Sequence, residues 1–408
     1  MNCDQIFTLG LGIKEPWIIK EVELKKVMAN YELHIEIDFE KGTKFLDEVG
    51  ELCQVHDTKQ KVWRHLNFFQ HECYLHCRVP RIKTKEGKVK LVEVPWARIG
   101  SGFTLLFESY VMMLIEAEMP VNNVGQLVGE YPHRIWTIFN YWINRAYIDD
   151  QPSTPKRLGF DETSQRKGHK YITCAVDIAR SKVLHVTEGK DSSTIQSAKE
   201  HLKSKGINTE KVEHISIDMS KSFIAGINAY FPNAEIHFDR FHVVKLLNEA
   251  MDEVRRTERK EHNELKGHKY TFLKDKNNLS NKRKQELSEL ITLFPTLGDA
   301  YRLKELFQDL WEMETEEEAT AFLVDWCKQV EQSGIEPFKK FTKTIKAHWT
   351  GIVNFCETEI NNGILEGINS KIQLAKRRAR GFRCVKNLIN MIYLLCGKLK
   401  FNYPLIST

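Results

Sequence analysis

The sequence predicts an α/β protein in which a mixed-sheet core follows a β-rich N-terminal region and a group of short helices. Residues 31–102 are rich in β-forming side chains, and the alternation along Val89–Val94 is typical of a half-buried strand. Residues 156–242 instead alternate apolar strands with helices, which is the pattern of a sheet covered by helices.

The core elements follow one another in a recognisable order. Three strands come first, followed by a helix, a strand, a second helix and a last strand. Their predicted bounds are Arg157–Phe160, Tyr171–Asp177, Lys182–Thr187, Ser192–Lys205, His214–Asp218, Lys221–Tyr230 and Glu235–Asp239. This is the order of a ribonuclease-H-like mixed sheet with helices on its faces.

Changes in texture divide the chain into five predicted domains. A β-rich domain and a helical module precede the linker Gln151–Pro155, and a highly charged, all-helical stretch interrupts the core before its last helices, Gly363–Arg380 and Asn387–Leu399. The domains are 1–102 (β-rich, zinc-ribbon-like), 103–150 (helix-turn-helix), 151–242 (first part of the core), 243–357 (helical) and 358–408 (C-terminal helices of the core).

Composition excludes several classes of protein. A net charge of +5 over 408 residues rules out a bulk polycation, although local basic patches remain available for nucleic acid. No window has the apolar length of a membrane span, and the start lacks the pattern of a signal peptide. Nine cysteines, an odd count, do not suggest a disulfide scaffold, so we expect a cytoplasmic, reducing compartment.

Two aspartates close apolar strands of the predicted core. Asp161 follows Gly159-Phe160, and Asp218 follows the strand that begins at His214. Because open α/β sheets bind ligands at the carboxyl ends of their strands, both carboxylates would meet at one point. Each aspartate would equally suit the cap of a following helix, so the pattern alone leaves both interpretations open.

Glu366 strengthens the first interpretation. In a helix its face also carries Asn369, Gln373, Lys376 (or Arg377) and Arg380, while apolar residues occupy another face. A solvated polar face would show the same stripe. The run Lys376–Arg383 is nevertheless unusually basic, and Lys376, Arg377 and Arg380 are candidates for phosphate contacts.

Two further acids lie near strand ends. Asp239 and His242 form an Asp-x-x-His pair after the last strand and, like Asn369, are auxiliary candidates, although a helix cap with a packed histidine explains the pair equally well. Asp177 also ends a strand. With an antiparallel second strand it would lie at the opposite edge from Asp161, so we do not expect it to be a ligand.

Two shorter patterns lie before the core. Cys53, His56, Cys73 and Cys77 have the spacing of a structural zinc site, but a metal-free β-subdomain with buried thiols would contain the same residues. Helices over Val121–Val128 and Pro132–Ala146 suit a helix-turn-helix that turns His133, Arg134 and Thr137 toward a DNA major groove. Basic residues between Arg78 and Arg98 would add a positive edge.

Four stretches together resemble the bacterial insertion-sequence transposases of the ISL-three (ISL3) family. The stretches are Gly159–Thr163 with Gly168–Tyr171, Asp218–Ser220, Phe238–Lys245 and Asn362–Arg383. They occur in the family's order and cover most of residues 155–400. The family usually carries a zinc ribbon as well, from which this sequence departs at His56 and in the shortened second pair.

The resemblance implies that Asp161, Asp218 and Glu366 form a DDE triad, with residues 243–350 as a helical insertion. Two Mg²⁺ (or Mn²⁺) ions on such a triad would support phosphodiester hydrolysis and transesterification. The implied partners are the terminal inverted repeats and target DNA, handled by a homo-oligomer at the nucleoid of a prokaryote. A regulatory or domesticated DNA-binding protein, or a nuclease without strand transfer, are the alternatives.

Overall fold

A computed structural model of the chain describes residues 3–166, 168, 170–354 and 363–404. The chain divides into two compact units. One contains Met1–Ile148 with Lys400–Thr408, and the other contains Asp149–Leu399. No helix within the described ranges combines the length and the apolarity that crossing a membrane requires.

The first unit is built on a mixed sheet of six strands. After the helix α1 (Cys3–Gly10), the strands are β1 (Trp17–Val27), β2 (Asn30–Phe39), β3 (Lys44–Leu46), β4 (Leu52–Phe68), β5 (His71–Lys83) and β6 (Val89–Leu91). Their order is β1-β2-β5-β4-β3, with β6 beside β5. Only β2 and β5 pair in parallel. The predicted β-rich character is confirmed, and the sheet begins earlier than predicted.

Three helices follow this sheet: α2 (Leu105–Glu116), α3 (Val121–Val128) and α4 (Pro132–Asp149). The Thr104 side chain caps α2 by accepting from the Phe107 amide. Between α3 and α4 the chain turns tightly, because a β-carbon on Gly125 would lie 2.7 Å from the carbonyl oxygen of Glu130. Glycine at this position therefore permits the close approach of the two helices.

The second unit begins with a five-stranded mixed sheet. Its strands are β7 (Arg157–Arg166), β8 (Lys170–Asp177), β9 (Lys182–Glu188), β10 (His214–Ile217) and β11 (Glu235–Phe238), in the order β11-β10-β7-β8-β9. The strand β8 is antiparallel to both β7 and β9, whereas β10 runs parallel to both β7 and β11. The helices α5 (Ser192–Ser204) and α6 (Lys221–Tyr230) connect the later strands, so the predicted order of elements is observed.

A helical region follows β11. Its helices are α7 (Arg240–Glu258), α8 (Lys269–Leu273), α9 (Asn281–Leu293), α10 (Pro295–Leu306), α11 (Glu316–Ser333), α12 (Glu336–Ala347) and α13 (Trp349–Val353). They share an apolar core around Trp326, whose indole N–H donates to the Leu303 carbonyl at 2.9 Å. As predicted, residues 243–354 contain helices and no strand; residues 355–357 lie outside the described ranges.

Two helices complete the second unit, α14 (Gly363–Arg378) and α15 (Val385–Cys396). The first ends two residues before the predicted end. Arg380 and Gly381 adopt left-handed backbone angles, and the Gly381 amide donates to the Lys376 carbonyl at 2.8 Å. Such a turn closes a helix, so Arg380 lies beyond α14 rather than on its polar face.

Candidate active site

Asp161 lies within β7 rather than at its end, which corrects the sequence prediction. The strand continues to Arg166 alongside β8. On its other side, pairing with β10 extends only as far as Gly159, opposite Ser216. Asp161 therefore lies just beyond the point where β10 stops, and Asp218 directly follows β10 there. The sheet topology brings these two carboxylates to the same edge.

Asp218 and Asp239 follow two neighbouring parallel strands and also form local hydrogen bonds. One oxygen of Asp218 accepts from the Ser220 amide at 3.0 Å, and one oxygen of Asp239 accepts from the Phe241 amide at 2.9 Å, capping α7. The cap interpretation is therefore correct for Asp239, yet both residues line the same cleft. A carboxylate has two oxygens, so a cap bond and a position in the cleft are compatible.

The polar face of α14 runs along β7. Asn369 donates to Asp161 Oδ2 at 2.5 Å, and Gln373 donates to the Thr163 hydroxyl at 2.8 Å. One turn further on, the Lys376 ammonium donates to the Ser164 carbonyl. These contacts fix the register of the helix against the strand. Three members of the predicted polar stripe thus pack on β7, whereas Glu366 is exposed.

The carboxylates open into a cleft of about 860 Å³. Its lining includes Asp161, Asp218 and Glu366 together with the auxiliary candidates Asp239, His242 and Asn369. Sequence reasoning missed three charged neighbours in the same lining, Glu162, Lys245 and Glu249. The two on α7 recur three and seven residues after His242, a helical spacing that would have indicated their common face.

The electrostatics of the cleft favour a bound cation. Burial raises the pKa of Asp161 to about 6, and the negative charges of Asp218 and Asp239 push it in the same direction. Burial also raises the pKa of Glu162. Carboxylates that repel one another are stabilised by a divalent cation, and an all-oxygen set of donors suits Mg²⁺ or Mn²⁺.

Asp177 is placed as the sequence predicted. It lies on β8 and pairs with Leu158 of β7, three residues further along β8 than Cys174, the partner of Asp161. Its side chain is 1% exposed and accepts from the Arg180 guanidinium at 2.8 Å and the Arg180 amide at 3.0 Å. A carboxylate satisfied in this way has a structural explanation that needs no metal.

The predicted zinc site is not supported. Cys73 and Cys77 lie four residues apart on the continuous strand β5, a separation of about 13 Å. Zinc–sulfur bonds of about 2.3 Å cannot bridge that distance. Cys53 is buried opposite Phe45 of β3, whereas His56 is exposed. Burial raises the pKa of the Cys73 and Cys77 thiols to about 12, as expected of ordinary buried thiols.

The predicted DNA-reading residues differ in their exposure and in their side-chain contacts. His133 and Thr137 are exposed on α4. Arg134 instead forms a 2.6 Å ion pair with Glu130, and its guanidinium lies 4.3 Å from the centre of the Phe103 ring. It therefore holds the start of α4 in place before any contact with DNA is made.

Acidic partners neutralise the predicted positive edge of the first unit. Basic residues there form ion pairs: Arg78 with Asp38, Arg81 with Asp57, Lys85 with Glu51, Lys88 with Glu86, Lys90 with Glu48, and Arg98 with Glu108. These basic residues are therefore paired with acids, and their contact with phosphates stays a prediction. In the second unit Lys376 is similarly engaged, and burial lowers its pKa, while Arg377 and Arg380 are exposed.

Comparison with known proteins agrees with this architecture. Residues 158–392, more than half of the chain, match a family model described as a transposase. Residues 92–143, which include α2, α3 and most of α4, match a model described as the helix-turn-helix domain of transposase family ISL3. The predicted helix-turn-helix is thereby confirmed.

Curated relatives cover most of the chain. The transposase of insertion sequence element IS1001 from Bordetella parapertussis is 28% identical over 347 residues, covering 83% of this chain and 85% of the relative. The transposase of IS1557 from Mycobacterium tuberculosis is 27% identical over 384 residues, covering 85% of each. The fold, the cleft and these matches define a DNA transposase, an enzyme that cleaves and transfers DNA. The chain belongs to the ISL3 family of transposases.

Proposed function

We propose that the cleft is a DDE active site in a ribonuclease-H-like core, where Asp161, Asp218 and Glu366 hold two Mg²⁺ or Mn²⁺ ions. One observation carries the proposal: β7, the end of β10 and α14, which are far apart in sequence, each contribute one of these acids to the same cleft. When bound, the ions would supply activation of the attacking oxygen and stabilisation of the leaving oxygen.

The protein's own contribution is to hold Asp161 in a fixed orientation. Its two oxygens have separate donors, the Glu162 amide at 2.7 Å and the Asn369 side chain at 2.5 Å. A carboxylate restrained at both oxygens pays little reorganisation energy when the substrate arrives. Asn369 is therefore a positioning residue for Asp161.

The opposite side of the cleft suits the DNA backbone. His242 and Lys245 lie on the first turns of α7, a 19-residue helix whose N-terminus carries a partial positive charge. A phosphodiester entering here would meet both the helix dipole and the Lys245 ammonium. Asp239 caps this helix with one oxygen, and its charge offsets part of the positive end.

The reaction needs no nucleophile from the protein. Water attacks the phosphorus at the end of the element and releases a 3′-hydroxyl. That hydroxyl then attacks a phosphodiester of the target DNA, forms a new phosphodiester bond and displaces the target strand's own 3′-hydroxyl. The helix-turn-helix would bind the terminal inverted repeats through exposed residues of α4, including His133 and Thr137. Arg377 and Arg380 would contact phosphates. Joining two ends requires self-association at the nucleoid.

Cleavage and joining of an oligonucleotide that carries the element's end test this proposal. Purified protein with Mg²⁺ or Mn²⁺ is expected to form both products, and Glu366→Gln is expected to lose both. Glu200→Gln on α5 is the matched control, because Glu200 is exposed and does not line the cleft. Wild-type product levels from Glu366→Gln would contradict the triad.

The same assay separates the alternatives. A nuclease without strand transfer would cut the oligonucleotide but would form no joined product with any target. A regulatory or domesticated protein would retain the labelled DNA on a gel without cutting it in either metal.

A further inference from the structure

A second group of metal-ligating side chains lies at the other end of the parallel strands. His214 is the first residue of β10 and pairs directly with Glu235, the first residue of β11. His237 lies two residues further along β11, so its side chain projects from the same face of the sheet as that of Glu235. Asp218 follows the opposite end of β10, four residues or about 13 Å from His214.

The three side chains converge on one point. The Nδ1 atom of His214 lies 3.1 Å from Nε2 of His237 and 3.4 Å from a carboxylate oxygen of Glu235. All three ligand atoms lie within 4.8 Å of one another. In a tetrahedral site with zinc–nitrogen bonds of about 2.0–2.1 Å, neighbouring ligand atoms are about 3.3 Å apart. The two measured separations match that edge length.

A similar trio in the first unit lacks this convergence. His34 contacts Glu32 through Nε2 at 3.2 Å and His76 through Nδ1 at 2.8 Å. These nitrogens are on opposite sides of the imidazole ring, so the trio forms a linear chain of hydrogen bonds. At His214, by contrast, the same nitrogen faces both partners.

Burial and charge at the cluster are compatible with a metal ion. His237 is 1% exposed, so its imidazole would shield a bound ion from solvent on that side. The imidazole of His237 also forms a hydrogen bond with the backbone of Asn354, a contact of the kind that orients a ligating histidine. Glu235 is exposed, which gives an ion access from solvent. Its negative charge opposes the positive charge of Arg157, the residue of β7 that pairs with His214.

We propose that His214, Glu235 and His237 bind one divalent transition-metal ion of the zinc class, at a site distinct from the cleft. Two imidazoles and one carboxylate favour such an ion over Mg²⁺. The ion would tie together the starts of β10 and β11, whose far ends lead into Asp218 and Asp239. Its role would be structural, fixing the two strands that present acids to the cleft.

Zinc binding to the metal-stripped full-length protein tests the site. Zn²⁺ is titrated by equilibrium dialysis in excess Mg²⁺, which occupies the carboxylate cleft. The wild-type protein is expected to bind one more zinc ion per chain than His214→Ala does. Glu235→Gln, which preserves shape, should weaken that ion at least about tenfold. Glu213→Gln is the matched control, because its carboxylate pairs with Lys156 at 2.8 Å.

Cobalt substitution identifies the ligands. Co²⁺ at this site should show visible d–d bands without a thiolate charge-transfer band, and the bands should persist in His34→Ala and Asp161→Asn. Equal zinc stoichiometry in the wild type and His214→Ala would overturn the proposal. So would a thiolate band that accounts for all of the bound cobalt, or loss of the visible bands in Asp161→Asn.

Discussion

Replacing Gly159 with alanine tests whether the contact between α14 and β7 sets the position of Glu366. A β-carbon on Gly159 would lie 2.9 and 3.0 Å from the two terminal carbons of Leu365, and 3.3 Å from Ile178. Leu365 is only 4% exposed, so its side chain has little room to move aside. The added methyl group is therefore expected to push Leu365 away from β7 and to displace Glu366, the next residue of α14.

Gly367 on α14 provides a matched control for the steric clash at Gly159. Overpacking a core contact costs about 1–3 kcal/mol, which the removal of a strand glycine offsets by about 0.5–1 kcal/mol. A β-carbon on Gly367 meets nothing within 4 Å, so Gly367→Ala should stabilise the helix by about 0.5–1 kcal/mol. The difference in unfolding free energy between the two variants then measures the clash, and each kcal/mol of it should shift Tm by about 2–4 °C.

The loss of activity should exceed the loss of stability. A displacement of about 1 Å at a catalytic group costs about a hundredfold in rate, so Gly159→Ala should cut the labelled oligonucleotide about a hundredfold more slowly than Gly367→Ala. Leu365→Val removes both terminal carbons that the new methyl group meets. Combining it with Gly159→Ala should therefore restore part of the rate and show a favourable coupling of about 0.5–3 kcal/mol.

Thermal unfolding and cleavage rates of the wild type, the three single variants and the double variant decide between these outcomes. If Gly159→Ala cuts DNA as fast as Gly367→Ala, α14 does not set the position of Glu366. If the double variant is only as active as the product of the two single effects, Leu365 is not the group that the methyl displaces.

Three further predictions concern other parts of the chain. Gly125→Ala should weaken DNA binding about tenfold in a gel-shift assay, because its methyl group would lie 2.7 Å from the Glu130 carbonyl oxygen and force the turn between α3 and α4 open. Burial and a neighbouring arginine lower the pKa of His65 to about 4. The stability present above pH 6.5 is therefore lost as the pH falls toward 4, by up to about 3 kcal/mol, and His65→Gln should flatten this dependence in urea titrations. Asp177→Asn should lower Tm, because Arg180 loses its buried partner, while metal-dependent cleavage by the folded protein persists.

Each of these has a control and a contradicting outcome. Gly10→Ala, whose β-carbon meets nothing within 4 Å, should leave DNA binding unchanged, and an equal loss there would show that the turn is not responsible. An unchanged acid dependence in His65→Gln would assign that dependence to other histidines. Loss of cleavage in folded Asp177→Asn would reinstate this residue as a candidate ligand.

The core could be predicted because its signals are local. The apolar run that ends in Asp218 predicts a strand and the position where it ends. The polar residues at helical spacing from Glu366 to Lys376 predict one face of a helix. The sequence could not show that this face packs on β7, because the hydrogen bond between Asn369 and Asp161 joins residues 208 positions apart. The predicted strand end at Asp161 failed because the polar run Asp161–Arg166 keeps pairing with β8 after the pairing with β10 has stopped.

The errors share a physical cause. The spacing between Cys73 and Cys77 would suit a metal if the chain turned there, but 13 residues of continuous strand hold the thiols apart. Several acids that pair with the basic edge are distant in sequence and could not be assigned to it; Asp38 lies 40 residues before Arg78. The cluster at His214 went unnoticed for the same reason, since only the register of β10 with β11 places Glu235 beside it.

The order of residues along the chain also governs when activity can appear during synthesis. A ribosome adding about 5–20 residues per second needs roughly 10–40 s to pass from Asp161 to its partner Asn369. Until α14 is added, the nascent polypeptide contains the helix-turn-helix segment, Asp161 and, once residue 218 has been reached, Asp218, but not Glu366. If Glu366 completes the active site as proposed, a product truncated before α14 would bind DNA without cutting it and would compete with the complete enzyme.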